Sequence, residues 1–123
     1  MKILVAFVLL GAALAFYEDS VNVQTITDEN FEKRILDGKD LWLINFYKTG
    51  DKASKKLSNE WESIARAFNG IIKVGAIDAG ENEELATKYG IEEFPGVTFF
   101  ANGETKNYSG KMNPKPISTF AIE

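Results

Sequence analysis

The chain has no cysteine and no histidine among its 123 residues. Without cysteine there is no disulfide and no thiolate nucleophile, and a closed zinc site loses its main ligands. Without histidine a serine has no ordinary triad base. Basic charge is not in excess either. Fourteen Lys+Arg stand against 18 Asp+Glu, a formal net charge of −4, with the signs mixed along the sequence. A nucleic-acid partner, which needs a clustered basic surface, is not expected.

Long apolar runs are also missing. The one at the amino end, Ile3–Leu10, follows Lys2 and leads into Gly11-Ala12-Ala13-Leu14-Ala15. It is short for a bilayer span, and a positive start, a short apolar core and a small-x-small end are the pattern of a secretory signal peptide. Cleavage after Ala15 is expected, leaving residues 16–123 as one domain of the secretory pathway without stable membrane insertion. That compartment permits disulfides, yet none can form, so the core alone must hold the domain.

What is present suits such a core: 45% of residues are hydrophobic and 12% aromatic. Val21–Ile26 alternates and reads as a strand. Thr27 is a good N-cap for a helix with Phe31 and Ile35 on one face, ended by Gly38. Leu41–Tyr47 is apolar except for Asn45, the mark of a central strand buried on both faces. A helix then starts at Asp51. Its apolar positions Ala53, Leu57, Trp61, Ile64, Ala65 and Phe68 form one stripe, and Asn69-Gly70 stops it. Ile71–Asp78 is a second buried strand, and Glu83–Tyr89 a short helix. Val97–Phe100 pairs with Glu104–Tyr108 through the turn Asn102-Gly103. Pro114–Ile122 closes the chain as a helix with proline in its first turn. This order predicts an α/β fold, a mixed central sheet of about five strands with helices on both faces.

The local words then resemble a known family. Phe46-Tyr47, Lys55-Lys56-Leu57 and Asn59-Glu60-Trp61-Glu62 keep the frame around the active-site turn of protein disulfide isomerase domains. Lys73-Val74-Gly75-Ala76-Ile77-Asp78-Ala79 resembles their third strand, and Tyr89-Gly90-Ile91 with Phe94-Pro95 resembles their approach to a cis-proline. The resemblance implies the thioredoxin fold and a cis bond before Pro95. It also shows a departure. Where the family has Cys-Gly-His-Cys, this chain has Asp51-Lys52-Ala53-Ser54. Asn45 replaces a buried glutamate, and Gly50 replaces a tryptophan. Thiol–disulfide exchange needs a thiolate attacking sulfur, which neither a carboxylate nor an unactivated hydroxyl replaces. The resemblance supports the fold and argues against the activity.

Other chemistry at the turn has plainer readings. Asp51 suits a helix cap, and Ser54 lacks a base. Asp78–Glu84 is acidic but lacks calcium-loop spacing. No metal or cofactor is expected. By the resemblance, Tyr47, Gly50, Phe94, Pro95 and Gly96 are the candidate contacts for an extended protein or peptide segment. Asn107-Tyr108-Ser109 is a glycosylation sequon. The expected function is redox-inactive, non-covalent binding of protein segments in the endoplasmic reticulum lumen or outside the cell. The alternative is a structural or partner-binding module of a larger assembly. The ending Phe120–Glu123 carries no Lys-Asp-Glu-Leu-like signal, so secretion, retention by a partner and a longer chain all stay open.

Overall fold

The computed structural model describes residues 16–17 and 20–123; the leader expected over residues 1–15 lies outside them. Five strands form one sheet: β1 (Val23–Thr25), β2 (Trp42–Tyr47), β3 (Lys73–Asp78), β4 (Gly96–Ala101) and β5 (Glu104–Asn107). Their spatial order is β1-β3-β2-β4-β5. β3 is parallel to both β1 and β2. β4 runs antiparallel to β2, and β5 antiparallel to β4. Every residue of β2 is buried, Asn45 included, as a nearly all-apolar run requires for a strand covered on both faces.

Among the described residues three α-helices, α1 (Lys52–Ala67), α2 (Glu83–Lys88) and α3 (Pro114–Ile122), join a π-helical turn at Glu32–Leu36. Alternation along β2 divides the core. Leu43 and Tyr47 meet Leu57, Trp61 and Ile64 of α1 and Ile117 of α3. Trp42, Ile44 and Phe46 meet Phe31, Ile35, Leu85 and Ala86 on the opposite face. Trp61 is fully buried, and its indole N–H donates to the Gly75 carbonyl (3.1 Å). Gly75 sits in a tight place, where a β-carbon would lie 3.1 Å from the Gln24 carbonyl oxygen and push its neighbours by a few tenths of an ångström.

One expected helix takes another form. Asp37 N–H donates to the Glu32 carbonyl, five residues back (2.8 Å), so Glu32–Leu36 is a π-helical turn. The spacing of Phe31 and Ile35 suits either ladder, and both are buried. Nor does the expected Thr27 hydroxyl cap form. Thr27 N–H instead donates to Asn30 Oδ1 (2.8 Å). The hairpin follows its sequence, with positive φ at Asn102 (53°) and Gly103 (82°), the type I′ geometry that matches strand twist.

Candidate functional site

β2 ends at Tyr47, and the chain reverses into α1 through Lys48-Thr49-Gly50. Asp51 N–H donates to the Lys48 carbonyl (3.2 Å), and Gly50 takes φ of 90°, a conformation that favours glycine. Asp51 is the N-cap, its Oδ2 accepting the Ser54 N–H (2.8 Å). Ser54 is fully buried, and its Oγ accepts the Lys48 N–H (3.2 Å), tying the helix start to the strand end. The Asp51 carboxylate therefore serves a backbone amide and does not activate the serine hydroxyl. Lys52 and Ala53 are exposed. Asp51→Ala should lower stability by about 1 kcal/mol through loss of the cap, read as a shift in urea midpoint; an unchanged midpoint would refute the capping role.

Asn45, on the α1 side of β2, is completely buried. Its Nδ2 donates to the Tyr17 hydroxyl (3.0 Å), while its Oδ1 has no protein partner. Tyr17 packs edge-on against Tyr47 at 5.3 Å, and Phe16 stacks on Tyr47 at 5.0 Å. Burial pushes the Tyr17 phenol well above its ordinary range, against the bond from Asn45 and with the help of Tyr47. Burial, with the negative charge of Asp78, pushes Tyr47 up to about 12. The folded state therefore holds these protons longer than the unfolded chain does. Stability falls as pH rises above about 10, the ordinary tyrosine value. Phenolate absorbance should show three of the four tyrosines ionising late, namely Tyr17, Tyr47 and Tyr89, which burial also pushes up, together with loss of near-ultraviolet dichroism. Four tyrosines titrating together near pH 10, with the dichroism intact, would contradict this arrangement.

Farther along the chain, the Phe94–Pro95 peptide bond is cis. Phe94 is half-buried, with the Lys48 ammonium 4.7 Å from its ring centroid, a contact worth about 0.5–1 kcal/mol at an exposed site. Beside Pro95 runs a groove of about 290 Å³, walled by Ile91, Glu92, Glu93, Gly96, Tyr108 and Met112. A β-carbon on Gly96 would come within 2.6 Å of Ile91 Cγ2, so glycine lets that wall close.

Among the residues expected to meet a peptide, Pro95 and Gly96 line this groove. Tyr47 does not; it is 5% exposed and lies under Phe16 and Tyr17. Gly50 is exposed on the turn, and Phe94 faces Lys48. Sequence reasoning missed Ile91, Glu92, Glu93, Tyr108 and Met112, because two loops far apart in the chain build the groove. Asn107 is tied down on both sides of its amide. Its Oδ1 accepts from the Thr98 hydroxyl (2.8 Å), and its Nδ2 donates to the Tyr89 carbonyl (3.0 Å). In the acidic loop, Asp78 Oδ1 accepts the Gly80 N–H (2.9 Å), a local turn bond. Among the described residues no group of three or more carboxylates is placed to hold a metal ion.

A mixed five-stranded sheet, helices on both faces, and a cis-proline loop paired with a strand-to-helix turn define a thioredoxin-fold domain without its dithiol. The thioredoxin family model matches residues 22–123, and the chain belongs to that family. Protein disulfide-isomerase A6 of Mesocricetus auratus is 32% identical over 113 residues, 90% of this chain and 26% of that protein. The Drosophila melanogaster homolog of A6 is 31% identical over 122 residues, 98% of this chain and 28% of that protein. The chain thus spans under a third of these relatives' length. Among solved structures, ERdj5 crystal form I superposes with a TM-score of 0.81 at 26% identity, over 87% of this chain and 14% of that one.

Proposed function

We propose that this chain is a redox-inactive member of the disulfide isomerase group that binds extended protein segments without covalent chemistry. The observation that carries this reading is the pairing of a formed groove at Pro95 with a turn whose two thiol positions hold Asp51 and Ser54. A strand-like segment could use main-chain groups beside β4 for pairing and the groove for one side chain. The signal-like leader adds the secretory pathway, within the endoplasmic reticulum lumen or beyond it, as the place of action. Asn107 belongs to the proposal as a glycan acceptor. A glycan on Nδ2 leaves one N–H, enough to keep the Tyr89 bond, and a mass shift on enzymatic deglycosylation tests it.

Two measurements test the main reading. Insulin disulfides should be reduced by the protein no faster than by buffer; turnover above background would overthrow it. Fluorescence anisotropy should show labelled extended peptides binding, with affinity falling about tenfold or more, at an unchanged melting temperature, when Glu93→Trp crowds the groove from an exposed wall position. A structural module without a client groove is the second reading, favoured by the Lys48 ammonium already covering Phe94. It predicts no peptide binding at all.

A further inference from the structure

We propose that the face made by Lys48, Phe94 and the start of α1 selects acidic protein segments, with Lys48 as the specificity-determining residue. This rests on the binding reading above and names the class of segment. The first observation is the ring of Phe94, next to cis-Pro95 and only half-buried, with the Lys48 ammonium 4.7 Å from its centroid. An apolar side chain can stack there only by displacing a charged group. A carboxylate can approach that group where it stands.

The second observation is local charge. Lys48, Lys52, Lys55 and Lys56 are all exposed and fall within nine residues of a chain that is acidic as a whole. Among the described residues the one ion pair is Lys73–Asp40, so none of these four has a carboxylate within bonding distance. Asp51, the only acid in the stretch, is engaged with the Ser54 N–H. Lys52, Lys55 and Lys56 stand three and four residues apart on one exposed side of α1, where like charges repel. The positive end of the helix dipole adds to their field. Ordinary surfaces intersperse the two signs; here four lysines follow one another along the turn and the first turns of α1 with no ion pair among the described residues, and Lys48 carries that charge to the cis-proline loop.

The third observation orients the segment. Glu92 and Glu93, exposed and directly before Phe94, carry the opposite sign. Carboxylates of a bound segment therefore lie toward Lys48 and α1, away from those glutamates. Charge order along the segment should matter as well as charge number.

The test uses the full chain and short fluorescein-labelled peptides of equal length: one rich in Asp and Glu, one neutral and apolar, and one rich in Lys. A single-stranded oligonucleotide of similar length serves as the polyanion control. The acidic peptide should bind at least about tenfold more tightly than the neutral one, and the difference should collapse as salt rises from about 0.05 M to about 0.3 M. Lys48→Met, which keeps the stem and removes the charge, should cut the acidic preference at least about threefold with an unchanged melting temperature. Lys52→Gln/Lys55→Gln/Lys56→Gln gives a second measure on exposed positions. Equal or tighter binding of the neutral peptide overturns this inference while leaving the groove reading intact. So does an acidic preference that survives Lys48→Met and the triple change. Equal binding of the oligonucleotide overturns it too, since the face would then be a general polyanion surface. Binding of no peptide overturns both readings.

Discussion

Trp61→Ala should cost about 3–5 kcal/mol, against a total stability of about 5–15 kcal/mol for a domain of this kind. Trp61 is completely buried between α1 and the sheet, so alanine leaves a cavity the size of an indole where no neighbour can collapse fully. It also removes the donor to the Gly75 carbonyl, on the strand paired to both β1 and β2. Trp61→Phe separates the two contributions. It keeps most of the volume and loses the bond, for about 1 kcal/mol plus the smaller packing loss. Urea titration followed by far-ultraviolet dichroism measures both, and the remaining Trp42, also buried, reports through fluorescence. A loss below about 1 kcal/mol for the alanine variant would mean that the indole is not what joins helix to sheet.

The second large effect depends on pH. Asn45→Asp puts a carboxyl where the disulfide isomerases keep a buried glutamate, according to the resemblance in sequence. Here the site is fully buried, with the Tyr17 hydroxyl as its single protein partner and one oxygen left unpaired. Burial disfavours the charged form, so the folded pKa of the new carboxyl rises above the ordinary value of about 3.9. Between those two values the folded state binds more protons than the unfolded chain, and stability falls as pH rises. A rise of about three pKa units corresponds to about 4 kcal/mol lost by neutral pH, with little loss near pH 4. Urea midpoints of the variant and parent at both pH values decide it. A difference that does not change with pH would show that water reaches the site and solvates the charge.

The same pocket explains why a neutral amide sits there. Asn45 keeps a polar side chain that bonds Tyr17 without the cost of a buried charge. Asn45 bonds the Tyr17 hydroxyl, while Asp51 and Ser54 accept the backbone N–H groups of Ser54 and Lys48 and so hold the turn.

Most of the fold was legible in order. The apolar stripe of α1 from Leu57 on, the apolar run of β2 and the Asn102-Gly103 turn are local patterns, and each forms where its pattern lies, whereas Ala53, expected in the stripe, is exposed in the first turn and Ser54 is buried instead. The helix after Thr27 was only half legible, since Phe31 and Ile35 fit two kinds of helical turn equally well. The site was legible in its absences. No cysteine means no dithiol, whatever the fold. Asp51 as a cap was readable too, because a cap reaches only three residues along the chain.

Other features needed the chain to close on itself. Tyr47 looked available to a peptide, but Phe16 and Tyr17, some thirty residues earlier, cover it. Lys48 reaches Phe94 farther along the chain still, and Asn107 reaches back 18 residues to Tyr89. Periodicity reports which side of an element is apolar, not which distant residue will lie against it; that is set by strand order and register. The sequence by itself determined that these 123 residues hold no thiol, and it determined where most of the strands and helices lie. The tertiary structure decided which surface remains for binding, because the open groove at Pro95 and the lysine over Phe94 arise only when separate loops are brought together over one end of the sheet.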